Sequence, residues 1–445
     1  MPKNYISNVF SFLLIIIAIF GILSLIEDYR FAKNIKPFNI FSDIISQPET
    51  ITGDTIKIPV VEATYPCPDS IQCFENYTEI KYPLDSLITK LLSKDKQVRV
   101  AWFGDSFTEA DIVVGNLRDT LQSLYGGNGV GFMPITFEAT GFRRTVIHHF
   151  NGWHTRSFIS NPRLKDYGIG GTIYKPDSAA FVAYEGTAKF FKHTQNFGKL
   201  RLFYTSENES SVSIRLNGGQ SQSYSIRQTA LPKQVVVATP DIWRVSIYIP
   251  DTLGNTAFYG ASLEDTTGIY FDNFAIKGNS GLGLLTVRED FLKQFNDMLH
   301  YDLIVLQFGL NVAEATRTDY SAYAKSMTKV IEKLKNAFPD VPILILSVSD
   351  RSRRVQGEYV TMAGIPALLE AQRTLAADNQ IIFWNLFEAM GGMNSMAAFV
   401  DAKPPLANKD YTHLNFAGSK KVALKFAESF IHEVDIYKKR KEKEE

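Results

Sequence analysis

Serine, histidine and aspartate, the residue types that together perform acyl transfer, occur at separated places in this chain. Ser106 ends the turn Gly104-Asp105-Ser106, which follows the apolar run VRVAWF. A serine hydroxyl is a weak nucleophile and needs a neighbouring base. The same turn is also typical of a plain strand–helix link, because Gly, Asp and Ser favour turns and helix starts.

Two histidines follow an aspartate by three positions, and their surroundings differ. Asp297 and His300 lie on an amphipathic segment, where this spacing gives an ordinary surface contact, so we interpret that pair as structural. Asp410 and His413 lie in a loop before the last helix. There the carboxylate can orient the imidazole while the other ring nitrogen faces Ser106. A loop histidine near a helix start is the alternative interpretation.

A tetrahedral intermediate also needs hydrogen-bond donors for its oxygen. Asn311 follows the apolar strand DLIVLQFG, and its amide is expected at the same sheet edge as Ser106. The turn at 278–281 ends the preceding strand and offers backbone N–H groups. An asparagine at a strand end is otherwise a common turn residue.

The elements that would position these residues fall into two patterns. Apolar strands alternate with amphipathic helices before and after a central stretch, which predicts an α/β domain with a parallel sheet and helices on both faces. The central stretch, 145–265, contains short segments rich in β-branched and aromatic residues, with turn signals every ~8–12 residues. This pattern predicts a β-sandwich or jelly roll that interrupts an α/β domain formed by 96–144 and 266–436.

Composition excludes some classes of protein. Lysine plus arginine equals aspartate plus glutamate at 47 each, so no net charge attracts the chain to nucleic acid. No cluster of ligating side chains indicates a metal or another cofactor. The tail 437–445 has mixed charge, as expected of a solvated helix end.

The N-terminal segment 9–26 is apolar apart from two serines and one glycine. As a helix it would span about 27 Å, close to the ~30 Å of a bilayer core. No small-x-small cleavage site follows, so we expect an uncleaved transmembrane anchor; a cleaved signal peptide or a buried helix are the alternatives. Lys3 favours a cytoplasmic location for 1–8, although basic residues after the span oppose it. Residues 27–95 are expected to form a stalk and linker.

Cys67 and Cys73, the two cysteines of the chain, lie in a polar, proline-bearing stretch. A disulfide between them would suit an oxidising, exported compartment. Closing so short a loop would contribute roughly 2 kcal/mol. Two reduced thiols are the alternative, and a two-cysteine metal site lacks nearby partners.

Taken together, these residues resemble the SGNH/GDSL hydrolase family. The motifs GDS, GLN and DYTH, with a glycine between the first two, follow the order of the family's blocks. The resemblance implies that Ser106 is the nucleophile, with His413 as general base and Asp410 orienting it. It also implies an oxyanion hole formed by Ser106, Gly281 and Asn311.

The sequence departs from the family pattern in two ways. GLNV replaces the usual G-x-N-D, so the acid after Asn311 is missing, and the central stretch 145–265 enlarges the gap between the first two blocks. A glycine cluster at 167–171 competes with Gly281. We prefer Gly281 because one helix and one strand separate it from Asn311, as the fold expects.

A looser similarity, at 104–132 and 387–396, is to a bacterial subgroup that includes peptidoglycan O-acetylesterases with a carbohydrate-binding-like insert. It implies an acetylated cell-envelope glycan as substrate. With the predicted anchor, it implies a single-pass protein of the bacterial inner membrane whose catalytic domain faces the periplasm. Aromatic residues of the central stretch, such as Trp153, are candidates for stacking on sugars, although most aromatics in a β-sandwich form its core.

The leading hypothesis is therefore a serine-dependent O-acetylesterase that works through an acyl-enzyme. A polysaccharide O-acetyltransferase using the same three residues is the first alternative, and a membrane-bound O-acyltransferase would then be its partner. A non-catalytic, glycan-binding envelope protein is the second alternative, and a general lipase is the third.

Overall fold

The structure is a computed structural model that describes residues 67–250 and 253–444. The predicted anchor at 9–26 and most of the predicted stalk lie outside the described residues. Within the two described ranges, no helix is both long and apolar enough to cross a bilayer.

Strands alternate with helices near both ends of the described chain, as expected, and the part between them consists mainly of strands. In chain order, the strands are β1 (Glu75–Asn76), β2 (Gln97–Gly104), β3 (Gly131–Met133), β4 (Val146–Ser157), β5 (Thr172–Gly186), β6 (Phe197–Ser206), β7 (Ser210–Leu216), β8 (Ser221–Ile226), β9 (Thr229–Ile242), β10 (Arg244–Ile249), β11 (Thr256–Glu264), β12 (Gly268–Ala275), β13 (Leu303–Gln307), β14 (Ile343–Leu346), β15 (Ser352–Val355), β16 (Glu358–Thr361) and β17 (Ile382–Trp384). The α-helices are α1 (Asp85–Ser93), α2 (Val114–Tyr125), α3 (Glu289–Leu299), α4 (Ser321–Ala337), α5 (Gly364–Asp378), α6 (Leu386–Met390), α7 (Ser395–Asp401) and α8 (Phe416–Glu444). Short 3-10 turns occupy Glu109–Asp111, Thr140–Phe142, Lys192–Thr194 and Leu282–Thr286.

The first of the two large sheets has six strands, in the order β1-β17-β14-β13-β2-β12. Its strands are parallel, except that the two-residue edge strand β1 runs antiparallel to β17. Strands β13 and β14 are fully buried and, apart from Gln307 at the end of β13, apolar, as expected where helices cover both faces. The helices pack in two groups: α1 and α2 lie against α8, and α3, α4 and α5 form a row. The α/β prediction is confirmed.

The β-rich part forms a nine-stranded sheet of two antiparallel halves. One half contains β4, β5, β10, β7 and β8, and the other contains β3, β11, β6 and β9. A single residue pair, Phe258 and Tyr174, joins β11 to β5. Side chains from both halves, such as Leu202 and Ile247, share one buried cluster. Strand β3 begins before residue 145, and the division of the chain into domains stays a prediction.

A buried ionic network connects the two sheets. Arg99 on β2 contacts Asp272 on β12 and Glu264 on β11, at 2.6 Å in each case. The Tyr301 hydroxyl also donates to Asp272, at 2.7 Å. The side chains of Arg99, Asp272 and Glu264 are fully buried. Buried charges are tolerated only when they are paired and hydrogen-bonded in this way, so the network fixes how the β-rich sheet lies against β2 and β12.

Candidate active site

Ser106 lies just beyond the carboxyl end of a central strand of the parallel sheet. Strand β2 ends at Gly104, whose neighbours in the sheet are Ala275 on β12 and Gln307 on β13. The loops after β12 and β13 therefore flank Ser106. A side chain at Gly104 is excluded because its Cβ would lie 2.3 Å from the hydroxyl oxygen of Thr108.

The structure brings Ser106, His413 and Asp410 together in a hydrogen-bonded line. Ser106 Oγ lies 2.9 Å from His413 Nε2, and His413 Nδ1 lies 2.8 Å from Asp410 Oδ2. When Nδ1 carries the proton that it donates to the carboxylate, Nε2 is free to accept the serine proton. The arrangement can thus activate a hydroxyl for attack on an acyl carbon.

Asp410 is held in its ionised form. Partial burial favours the neutral acid, but hydrogen bonds from the backbone N–H and the ring of His413 outweigh it and lower the pKa of Asp410 below its ordinary value. Oδ1 accepts the backbone N–H groups of Thr412 and His413, each at 3.0 Å. A charged, fixed carboxylate can orient the imidazole and stabilise the imidazolium that forms when the ring takes a proton.

Asn311 is tied to the turn that carries Ser106. Its Nδ2 donates to Asp105 Oδ2 and to the backbone oxygen of Asn279, each at 3.1 Å. The other oxygen of Asp105 accepts the Phe107 N–H at 2.9 Å. Burial raises the pKa of Asp105 to about 6. The sequence interpretation treated Asp105 only as a turn residue, although its place in the GDS motif was the available signal.

The Gly281 N–H, which the sequence predicts as an oxyanion donor, makes a hydrogen bond within its own loop, and its role in the oxyanion hole stays a prediction. The Gly281 N–H donates to Asn279 Oδ1 at 2.9 Å, and Gly281 itself is buried against Phe308. Its N–H is therefore engaged within the loop. Gly278 is exposed, with φ of 79° and open space around its Cα. Within the described ranges the Gly278 N–H has no acceptor, so Gly278 is a second candidate donor in this loop.

The other histidine and the two cysteines that the sequence singled out lie in structural contacts. His300 follows α3 in a left-handed conformation, and its N–H caps the helix by donating to the Asn296 oxygen at 2.7 Å. Cys67 and Cys73 form a disulfide. Over residues 67–250 and 253–444, no group of three or more histidine, cysteine or acidic side chains could hold a metal ion.

Comparison with known proteins adds independent information. The family model for GDSL-like lipases and acylhydrolases matches residues 246–421, which include Asn311, Asp410 and His413. Among curated proteins, none matches the chain. A solved structure of a peptidoglycan O-acetylesterase superposes with a TM-score of 0.65 at 20% identity, covering 81% of this chain and 99% of that one. At this identity the likeness shows the fold.

Two further structures match less well. An acetyl xylan esterase has 22% identity, covers 36% of this chain and 81% of its own, and gives a TM-score of 0.27. A family two carbohydrate esterase from Cellvibrio japonicus has 10% identity, covers 64% and 99%, and also gives a TM-score of 0.27. Scores this low carry no argument about the whole chain.

Proposed function

Because this chain belongs to the SGNH/GDSL hydrolases and is a serine hydrolase, we propose that it removes O-acetyl groups from an acetylated cell-envelope glycan. The observation that carries the proposal is the line Ser106–His413–Asp410, with atom separations of 2.9 and 2.8 Å at the edge of the parallel sheet. The fold shared with a peptidoglycan O-acetylesterase supports the class of substrate.

The proposed reaction has two halves. Ser106 Oγ attacks the acetyl carbon while His413 Nε2 takes the hydroxyl proton, and Asp410 stabilises the imidazolium. The bond between the acetyl carbon and the sugar oxygen then breaks, and His413 gives its proton to that oxygen. Water attacks the acetyl-serine with His413 again as base. Acetate leaves, and Ser106 regains its proton.

The oxyanion that forms in each half requires donors, and the chain offers three candidates, on Ser106 and in the loops after β12 and β13. These are the N–H of Ser106, the N–H of Gly278 and the Nδ2 group of Asn311. Asn311 donates to its two resting acceptors at 3.1 Å, near the long end of the range for N–H···O bonds, so a charged oxygen can compete for its protons. Removing one such donor typically costs about 3–4 kcal/mol of transition-state stabilisation.

We place the enzyme at the bacterial inner membrane, with the catalytic part in the periplasm. The apolar segment 9–26 and the Cys67–Cys73 disulfide support this location. A transferase would use the same acetyl-serine and would differ only in the acceptor, a sugar hydroxyl in place of water, with a membrane-bound O-acyltransferase as the partner that supplies acetyl groups.

The test is to incubate the full chain with O-acetylated peptidoglycan and to measure free acetate and the acetyl content of the glycan. We expect acetate release, and a loss of roughly 1,000-fold or more in Ser106→Ala. Ser326→Ala, at a half-buried serine on α4 whose hydroxyl donates to the Ala322 oxygen, is the matched control and should behave as the parent. Acetyl moved to an added glycan without acetate release would identify the transferase. Turnover retained by Ser106→Ala would reject the proposal.

A further inference from the structure

A cavity of about 670 Å³ is lined by residues that follow Ser106 and strand β12 together with residues of the β-rich part, and we call it the rim groove. Its lining includes Glu109, three residues after Ser106, and Lys277 in the loop after β12. Residues of strand β4 in the nine-stranded sheet also line it. Ala275, which also lines the groove, pairs with Gly104 in the sheet, two residues before Ser106, so the groove lies next to the turn that carries the nucleophile.

The wall of the rim groove carries a fixed aromatic surface. Trp153 is half-buried; its Nε1 donates to the Phe181 oxygen at 2.8 Å, and its ring meets Phe258 edge to face at 5.5 Å. Phe137 and Phe150 are also half-buried and line the same cavity. Because Trp153 is already held in place, a ligand that packs against it loses little additional side-chain entropy.

Polar groups are interspersed with these rings. The hydroxyls of Thr136 and Thr155 lie 2.7 Å apart on the lining. The charged lining residues balance in sign: two acids, Glu109 and Glu138, accompany two bases, Lys277 and Arg143. Aromatic faces suit the C–H faces of pyranose rings, and hydroxyls suit their O–H edges. A lipid chain would leave the polar groups unpaired, and a strongly anionic polymer finds no excess positive charge.

We propose that the rim groove binds the sugar residues next to the acetylated one, so that the substrate is recognised as an oligosaccharide. The position of the ester at Ser106 rests on the proposed function, whereas binding of the oligosaccharide does not. The groove would then set specificity for glycan chains over small esters, because a small ester lacks the neighbouring sugars that would contact the groove.

Comparing two substrates in the full chain tests this proposal. For Trp153→Ala, kcat/KM on O-acetylated peptidoglycan fragments should fall about tenfold, as expected for loss of one aromatic contact. Hydrolysis of p-nitrophenyl acetate should not change. Trp243→Ala is the matched control, because Trp243 is an exposed tryptophan of the β-rich part that does not line the groove. An unchanged ratio of the two activities in Trp153→Ala would overturn the proposal.

Trp153→Ala could lose activity by misfolding, because Trp153 also packs inside the sheet. A second variant therefore tests the groove without removing that side chain. Thr155 is exposed on the groove wall, so Thr155→Trp fills the groove without removing a core contact. It should show the same selective loss on fragments. If Thr155→Trp keeps full activity on fragments, the groove is not the glycan site, and a matching loss on long-chain p-nitrophenyl esters would identify an acyl chain as its occupant.

Binding can be separated from turnover. Calorimetry of the full-chain Ser106→Ala variant with deacetylated peptidoglycan fragments should detect binding that Thr155→Trp abolishes and that strengthens with fragment length. If the fragments bind but the parent releases no acetate, the proposed esterase activity is contradicted, whereas glycan binding in the rim groove is still supported. Acetate release by the parent, with no measurable effect of either groove variant on the activity towards fragments, would support the proposed esterase and contradict glycan binding in the rim groove.

Discussion

The ring of Tyr359 lies parallel to the ring of Tyr411, with centroids 3.5 Å apart and 6° between their planes. Tyr411 stands between Asp410 and His413 and has a φ of 54°, a conformation that costs free energy in a residue other than glycine. The Ser352 N–H, at the start of the same β15–β16 hairpin, donates to the Tyr411 oxygen at 3.0 Å. The hairpin therefore supports the loop that carries the acid and the base.

Removing the stacked ring should loosen the catalytic loop. We expect Tyr359→Ala to lower kcat on p-nitrophenyl acetate about tenfold with little change in KM, because small displacements of catalytic groups are costly. Tyr359→Phe retains the ring and should retain activity. Val355→Ala, an exposed change on the same hairpin, is the control. Parent-like kcat in Tyr359→Ala would show that the hairpin does not position His413.

Asp105 illustrates a conflict between stability and activity. Burial raises its pKa from 3.8 to about 6, so the folded state binds the proton more tightly than the unfolded state. Above pH 6 the ionised form destabilises the fold, by up to about 3 kcal/mol. Asp105→Asn should therefore raise the free energy of unfolding in urea at pH 7, and the gain should vanish below about pH 3, where the acid is protonated in both the folded and the unfolded state.

The same variant should lose activity. Both oxygens of Asp105 accept hydrogen bonds, from Phe107 and Asn311, and an asparagine offers only one acceptor oxygen. Asn311 would then be less well held, so kcat should fall at every pH. Asp297→Asn, an exposed aspartate on α3, should change neither stability nor kcat. A variant at 105 that is fully active would contradict the positioning role.

Glu264 should give the opposite dependence of stability on pH. Burial alone would raise its pKa, but the charges of Arg99 and Arg201 outweigh it and lower the pKa from 4.5 to about 2. The folded state thus favours the ionised form above pH 4.5, and this stabilisation is lost as pH falls towards 2. Glu264→Gln should lower the free energy of unfolding by about 3 kcal/mol at pH 7.

Urea denaturation at pH 7 and at pH 3 measures how the stabilisation by Glu264 depends on pH. The difference between parent and Glu264→Gln should be largest at pH 7 and smaller at pH 3. Glu209→Gln, at an exposed glutamate in the turn between β6 and β7, should match the parent at both pH values. A difference that does not depend on pH would show that the stabilisation comes from packing and not from the ionised carboxylate.

Asn311 should contribute to catalysis more than to folding. We expect Asn311→Ala to reduce kcat by about 100- to 1,000-fold, as loss of an oxyanion donor does in other enzymes. KM should change little, because the donor acts on charge that develops only in the transition state. Equal losses of activity and of thermal stability would indicate that Asn311 only secures the Asp105 turn.

Much of this arrangement could be predicted from the sequence. The alternation of apolar strands with amphipathic helices predicted the parallel sheet, because burial on both faces leaves a periodic signal. Ser106, Asp410 and His413 were identified because each lies in a loop beside a helix start or strand end, where a chemically distinctive residue stands out from its neighbours. The structure places their side chains within hydrogen-bonding distance.

Other features depend on contacts that leave no local signal. Whether the backbone N–H of Gly278 or that of Gly281 is free to bind an oxyanion depends on the Asn279 side chain, because its Oδ1 accepts a hydrogen bond from the Gly281 N–H. Arg99 looks like an exception in an apolar strand, and its partners come from two distant strands. Tyr359 is far along the chain from the loop that it supports. Spacing along the sequence could not predict these contacts.

The most direct test of the central claim is to trap the acyl-enzyme. The full chain is mixed with p-nitrophenyl acetate, quenched in acid during turnover, digested, and analysed by mass spectrometry. One acetyl group should appear on the peptide that contains Ser106, and none should appear in Ser106→Ala. Steady turnover with no acetyl on Ser106, or with acetyl on another residue that turns over at the catalytic rate, would contradict the account.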